Sequence, residues 1–173
     1  MNYKDLPREL LQFTKPIDYQ TLLKGKTGHD WVIIPTAAFL TEEGIYWFTS
    51  RNIIIQKTLS VFKGVKNNQG PIHMDTRRFA LNFVISGHGK MEWVGDIVGT
   101  ETVSYANNAN FVKWVDVNSF NIIDTWSGDL GIVKIDTPHR IVTADEDRYC
   151  VSIRVTPGIG AQTFEQAVKE IYG

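Results

Sequence analysis

Histidine, aspartate and arginine carry most of the chemistry available to this sequence. Of its histidines, His29, His73, His88 and His139, one is followed two positions later by a carboxylate, in His73-Met-Asp75. Residues i and i+2 of an extended strand face the same side, so an imidazole nitrogen and a carboxylate oxygen can reach one ion above the sheet. A second histidine from elsewhere completes a two-histidine, one-carboxylate set that leaves coordination positions open, the arrangement that suits iron(II). With four histidines in the chain, His-x-Asp arises by chance in roughly one such chain in five. Alone, the pair reads equally well as a hydrogen-bonded histidine followed by a turn aspartate.

His139 is the candidate third ligand. It follows the apolar run Gly131-Ile-Val-Lys-Ile-Asp136 and the breaker Thr137-Pro138, which places a histidine at the end of an expected strand; an exposed turn histidine is the alternative. Beyond it, Arg148-Tyr-Cys-Val-Ser-Ile-Arg-Val155 alternates cleanly. Tyr149, Val151, Ile153 and Val155 share one face, and Arg148, Cys150, Ser152 and Arg154 share the other. An arginine flanked by small polar residues can grip a carboxylate through two parallel hydrogen bonds, with a serine hydroxyl adding a third. A solvated outer face reads the same way. The order of the parts, His-x-Asp, then His, then an arginine nine positions on, is more specific than any one of them.

Other reactive residues have plainer readings. His29 in Gly-His-Asp and His88 in Gly-His-Gly are expected in exposed loops. Trp47, Trp93, Trp114 and Trp126 can line a pocket, but core packing is the commoner fate of tryptophan. Arg77 and Arg78 lie beside the candidate ligands and are able to bind an acidic substrate, or simply to be solvated. Cys150 has no histidine patterned beside it to activate a nucleophile.

These residues must be positioned by strands. The expected strands are Trp31-Val-Ile-Ile, Gly44-Ile-Tyr-Trp-Phe, and segments 78–86, 90–94, 102–105, 111–117, 119–124, 131–135 and 148–155, each bounded by Gly, Asn, Asp or Pro. Thr41-Glu-Glu-Gly44 reads as a turn, Gly87-His-Gly89 and residues 106–110 as hairpin tips, and Asn52 to Phe62 as helix or strand. Residues 1–30 are mixed, with helical spacing from Lys4 to Phe13 and another turn at Tyr19 to Lys24. Phe164, Ala167, Val168 and Ile171 predict a short amphipathic helix over 163–173. Many short strands with helices only at the ends predict a mainly β sandwich or barrel, and periodicity alone does not choose among its types.

The chain's 173 residues fit one domain, 1–173. Hydrophobic residues at 43% and charged residues at 21% exclude a disordered chain, and the 18 basic and 19 acidic residues form no like-charge run, so neither a nucleic-acid groove nor a polybasic membrane surface is expected. The single cysteine excludes an intramolecular disulfide framework and suits a reducing compartment. Without an apolar signal region or a stretch able to span a bilayer, the expectation is a soluble, cytoplasmic protein.

At this level the sequence resembles the iron(II)/2-oxoglutarate-dependent oxygenases of the double-stranded β-helix, or jelly-roll, fold. The resemblance covers about residues 55–156, through Gly70-Pro-Ile-His-Met-Asp75, Arg78-Phe-Ala-Leu-Asn-Phe-Val-Ile85, Thr137-Pro-His-Arg-Ile-Val142 and Arg148-Tyr-Cys-Val-Ser-Ile-Arg154. It implies His73, Asp75 and His139 as iron ligands and Arg148 as the partner of the distal carboxylate of 2-oxoglutarate. The family's frequent Arg-x-Ser pattern reads Arg148-Tyr-Cys150 here, with Ser152 one step late; Arg154, on the same face, is the other possible anchor. Asn82 is either a further polar contact or a structural amide. The implied cofactors are Fe(II) and 2-oxoglutarate, with ascorbate supportive; the implied reaction is hydroxylation of a small molecule or a protein side chain, with Asp75 arguing against halogenation. The alternative is a jelly-roll module that binds a ligand without redox chemistry. A cupin-type isomerase ranks last, because the sequence has no His-x-His.

Overall fold

The computed structural model describes residues 1–28, 30–106 and 109–173. His29 and two residues of the expected 106–110 tip, Asn107 and Asn108, lie outside the described residues. In chain order the strands are β1 (Tyr3–Asp5), β2 (Asp30–Pro35), β3 (Thr58–Gly64), β4 (His73–Asp75), β5 (Phe79–Ser86), β6 (Gly89–Ala106), β7 (Ala109–Trp126), β8 (Leu130–Lys134), β9 (His139–Thr143) and β10 (Arg148–Ile153). The helices are α1 (Tyr19–Leu22), α2 (Glu42–Thr49) and α3 (Phe164–Tyr172), with single 3-10 segments at Arg8–Phe13 and Thr36–Ala38.

The pairing defines the fold. β6 pairs with β7, β5 with β8, β4 with β9 and β3 with β10, all antiparallel. This nested set is one long hairpin rolled up, so that successive strands alternate between two sheets. The result is a mainly β jelly roll. One sheet has the order β1-β8-β5-β10-β3-β2; the other, β4-β7-β6-β9, closes on itself where β4 meets β9. The outer face of the larger sheet carries Leu59, Val61, Leu81, Phe83, Val151 and Ile153, which pack under the N-terminal segments, α2 and α3. A second cluster, with Met91, Trp93, Trp126 and Val133, fills one end of the space between the sheets. The fully buried Trp93 donates its indole N–H to the carbonyl of Lys134 at 2.9 Å, which satisfies its one polar group.

Several expectations are corrected. Gly44 to Phe48 is not a strand but the body of α2. Thr41 caps the helix by accepting from the Gly44 N–H at 3.2 Å, and Glu42 and Glu43 lie in its first turn, where the dipole favours them. The β-prone aromatics are accommodated because Phe48 buries fully while Tyr46 stays in solvent. Helices therefore do not sit only at the ends. Segments 90–94 and 102–105 belong to one strand, β6, as 111–117 and 119–124 belong to β7. The residues that read as breaks act as β-bulges: the register shifts between Trp93 and Val94, Gly95 and Val98, and Val98 and Thr100, and Asp96 and Asp116 adopt positive φ. From the ambiguous 52–62 stretch the structure draws a strand only from Thr58. Lys4 to Phe13 divides into β1 and a 3-10 segment, whereas Tyr19–Leu22 and Phe164–Tyr172 are helical as expected, the latter with a Thr163–Gln166 capping box.

Gly87-His-Gly89 is not a hairpin tip, since β5 and β6 lie in different sheets. It is the crossing between them, pressed against the start of β10. Gly87 has φ +78°, and a Cβ there would sit 2.1 Å from the Asp147 carbonyl oxygen and 2.7 Å from the Arg148 Cα. His88 is exposed beside Glu146, as its sequence context suggests. Gly87→Ala is expected to destabilise the protein by about 2–4 kcal/mol, since backbone must move to admit the methyl group. Urea unfolding reads this directly, and a change below about 0.5 kcal/mol would refute the close approach.

Candidate metal centre

The β4–β9 closure builds the site. In register, His73 of β4 lies opposite His139 of β9, and His139 lies opposite Trp93 of β6. Strand alternation turns His73 and Asp75 inward together, while Met74 between them packs outward with Ile72, Val94 and Trp114. One ligand atom each from His73, Asp75 and His139 lies within 4.8 Å of the others, and among the described residues no other His, Cys, Asp or Glu group gathers in this way. The two imidazole rings are 4.3 Å apart between centroids.

Both imidazoles are oriented by the backbone. His73 Nδ1 is 3.0 Å from the Pro71 carbonyl and His139 Nδ1 is 2.8 Å from that of Thr137. A carbonyl only accepts, so each Nδ1 carries the proton and donates, which leaves the Nε2 lone pair facing the cavity. Burial, reinforced by the neighbouring His73, pushes the His139 pKa well below the ordinary histidine value of 6.5. His139 is therefore neutral at physiological pH, as a ligand must be. Next door on β9, Arg140 grips the buried Glu92 of β6 through Nε and Nη2, both at 2.8 Å, and Lys90 Nζ reaches the same carboxylate at 2.7 Å. This ion pair locks the β6–β9 register one residue from His139. Removing one partner from so buried a pair costs about 3–5 kcal/mol.

The cavity around the triad holds about 350 Å3. Arg148, Cys150 and Ser152 of β10, and Arg154 just beyond it, all line it. This polar face, which the alternation left readable as a solvated surface, points inward between the sheets, while Tyr149, Val151 and Ile153 belong to the large core. Arg148 is buried at the level of Gly89, whose added Cβ would meet the Arg148 Cδ at 2.9 Å. Gly89 lies four residues along β6 from Trp93, the neighbour of His139, an interval of about 13 Å. Arg154 sits just past the opposite end of β10, against Asp75 and Arg77. Burial, with Arg77's charge adding to it and Asp75 opposing, holds its pKa down to about 10, and its Nη2 donates to Ser60 Oγ at 3.1 Å. Asn82 also lines the cavity, opposite Ser152; its Oδ1 is buried without a hydrogen-bond partner, as is Arg148 Nε. Burial pushes the Cys150 thiol up while Arg148 pulls the other way, consistent with an inert thiol.

Sequence reasoning undervalued Arg77. It lines the cavity and pairs with Asp75 Oδ1 at 3.0 Å, engaging one of the two carboxylate oxygens. Its place two residues beyond Asp75 was the available signal, although residues 76–78 bend rather than continue β4. The tryptophans named as possible pocket walls do not line the cavity: Trp93, Trp114 and Trp126 are buried in the apolar clusters, and Trp47 lies under the Arg51 guanidinium at 3.9 Å. Trp31 lines it instead, from the edge strand β2.

No family model matches the sequence, and no curated protein matches it either. Among solved structures the chain is similar to a variant of Bacillus subtilis oxalate decarboxylase (12% identity, TM-score 0.40, covering 87% of this chain and 30% of that one). It is also similar to vicilin from hazelnut, Corylus avellana (9%, 0.41, 75% and 29%), and to the coconut allergen cocosin (11%, 0.41, 86% and 30%). The chain thus spans under a third of each of these longer chains. At such scores the likeness adds nothing to the strand pairing, which by itself makes the fold a jelly roll. Among the described residues no helix is long and apolar enough to cross a membrane.

Two outcomes follow from the convergent donors and the neutral His139. Isothermal titration with a divalent transition metal should show one site, weakened at least 100-fold by His73→Ala, Asp75→Ala or His139→Ala; unchanged affinity in all three would sink the site. The metal-free protein should lose stability as pH falls below about 6.5, because the unfolded chain takes up a proton that folded His139 resists. Urea unfolding at pH 7.5 and 5.5 should show a smaller acid loss in His139→Asn.

Proposed function

We propose that this protein is an iron(II)- and 2-oxoglutarate-dependent oxygenase that hydroxylates a carbon of a small molecule or a protein side chain. The observation that carries the reading is the convergence of His73, Asp75 and His139 at one end of a cavity whose other end holds a buried arginine, Arg148. The donor set fits the ion: two imidazoles whose Nδ1 atoms are committed to backbone carbonyls and one carboxylate, leaving positions open for a cosubstrate and dioxygen. When bound, iron(II) supplies the centre at which dioxygen is reduced as 2-oxoglutarate is oxidised to succinate and carbon dioxide, one oxygen atom entering succinate and the other the substrate C–H bond.

The chain's own residues do the rest. His73, Asp75 and His139 hold the ion; Arg148 binds the distal carboxylate, its orphaned Nε being a donor that the described residues do not satisfy. A buried cation with an unmet donor is costly unless an anion completes it. Arg148 is favoured over Arg154 as this anchor because it faces the triad from a separate level of the cavity, whereas Arg154 crowds against Asp75. Ser152 and Asn82, facing each other across β10 and β5, add hydroxyl and amide contacts along the way. Met91, Ile135, Ile141 and Phe111 supply apolar wall that limits water beside the triad.

Purified protein supplied with iron(II), ascorbate and 2-oxoglutarate should form succinate slowly even without substrate. His73→Ala and Asp75→Ala should abolish it, and Arg148→Gln should raise the Kd for 2-oxoglutarate roughly 30-fold or more, measured by titration with an inert divalent ion in place. Binding of metal and 2-oxoglutarate with no succinate would replace the oxygenase by the redox-silent binding module.

A further inference from the structure

Three aromatic rings, Trp31, Phe62 and Phe111, line the metal pocket. Phe62 of β3 lies opposite Cys150 of β10, whose side chain faces the cavity, and Trp31 of β2 lies opposite Phe62. Cross-strand partners share a face, so Cys150, Phe62 and Trp31 form one inward row across three strands. Neighbouring strands are about 4.8 Å apart, which sets Phe62 about 5 Å and Trp31 about 10 Å from the line of β10 that carries Arg148. The third ring, Phe111 of β7, lies opposite Asp75 and meets the His73 ring edge-on, with 6.2 Å between centroids.

The two outer rings are available to a guest. Among the described residues neither Trp31 nor Phe62 rests on another aromatic ring. On β2, Val32 and Ile34 pack against the large core, whereas Trp31, on the cavity side, stays 36% exposed. β2 is the edge strand of the larger sheet, so Trp31 stands where the pocket meets solvent. An indole left in water forfeits the burial that makes tryptophan valuable in a core, and a ligand lying on it restores that burial. The charges beside the rings are matched, Asp30 with Lys26 and Lys63 with Asp147, each at 3.2 Å. This wall therefore calls for neither an acid nor a base.

We infer that the substrate carries a neutral aromatic ring, received at the β2 edge of the metal pocket on Trp31 and Phe62, with Phe111 at the inner end beside His73. The inference rests on the oxygenase reading for the word substrate, but the ring site stands on the three side chains and their shared cavity alone. It leaves the line from the triad to Arg148 for the cosubstrate, since the aromatic row runs sideways from β10 toward the open edge. Aromatic pairs adopt offset or edge-to-face contact and gain more than their buried area provides. A flat ring therefore suits this wall better than a saturated group of equal size.

The test uses matched probes that differ only in saturation: benzamide against cyclohexanecarboxamide, 2-naphthol against decahydro-2-naphthol, and 3-phenylpropanamide against 3-cyclohexylpropanamide. Binding is measured by ligand-observed NMR titration to the full-length protein with zinc and 2-oxoglutarate present. The saturated member of each pair is the more hydrophobic, so burial alone has it bind at least as well. At least one aromatic member should instead bind about threefold or more tightly than its saturated partner. Trp31→Leu and Phe62→Leu, which keep an apolar side chain, should each bring that ratio to unity or below while zinc affinity stays as in the wild type. If Phe62→Leu fails to fold, Trp31→Leu, at the exposed edge, still decides. No binding by any probe, equal or tighter binding of every saturated member, or a preference untouched by Trp31→Leu would overturn the inference. Succinate formation by the wild-type protein, measured without probes, reports separately on the oxygenase reading. Aromatic preference without succinate would sink that reading and keep the ring site, whereas succinate without aromatic preference would do the reverse.

Discussion

The meeting of β4 with β9 is the contact on which the site depends. The described register records it through one residue pair, His73 opposite His139, yet it closes the smaller sheet on itself and brings distant parts of the chain within bonding reach of one ion. So short a contact cannot hold itself. It is imposed by the nested pairings around it, with β3 on β10 and β5 on β8 in one sheet and the long β6–β7 ribbon in the other. The buried Glu92–Arg140 pair then fixes β9 against β6 at the residue next to His139. A slip of one residue there would turn His139 out of the cavity, because side chains alternate faces.

Strand β10 shows how one short segment serves stability and chemistry together. Its apolar residues Tyr149, Val151 and Ile153 bury in the core beneath the helices, which anchors the strand. That anchoring permits the opposite face to carry Arg148 and, just beyond the strand, Arg154 into a confined space, where the unpartnered Arg148 Nε is costly unless an acceptor completes it. Arg148 and Arg154 lie at opposite ends of this face, and the triad and Arg77 lie across from it. The cavity therefore sets guanidinium groups across from a triad in which burial keeps His139 neutral and able to donate a lone pair.

Geometry also explains why the ligand histidines are ready to bind metal. Each is tied through Nδ1 to a carbonyl two residues earlier, in segments shaped by Pro71 and Pro138. A proline cannot donate a backbone N–H and restricts its neighbours, so the carbonyls near it are presented rather than absorbed in strand pairing. The orientation of both rings is thus built into local backbone, and only their convergence needs the whole fold.

What the sequence determined by itself was local. The i, i+2 placement of His73 and Asp75, the alternation of β10, the strand before His139 and the amphipathic α3 follow from side-chain periodicity, which a short window contains. The same windows misread Gly44 to Phe48, where Thr41 capping and burial of Phe48 outweigh β-propensity, and they misread Gly87-His-Gly89, whose glycines answer a close approach by residues sixty positions later. Bulges in β6 and β7 looked like chain breaks because turn residues and bulge residues are chemically the same. Tertiary structure alone decided which face of β10 looks inward, which arginine lies deep and which beside Asp75, and that Trp31 rather than the other tryptophans borders the cavity. Those outcomes depend on which strands pair across long sequence separations, and pairing of that kind leaves no periodic trace in the residues themselves.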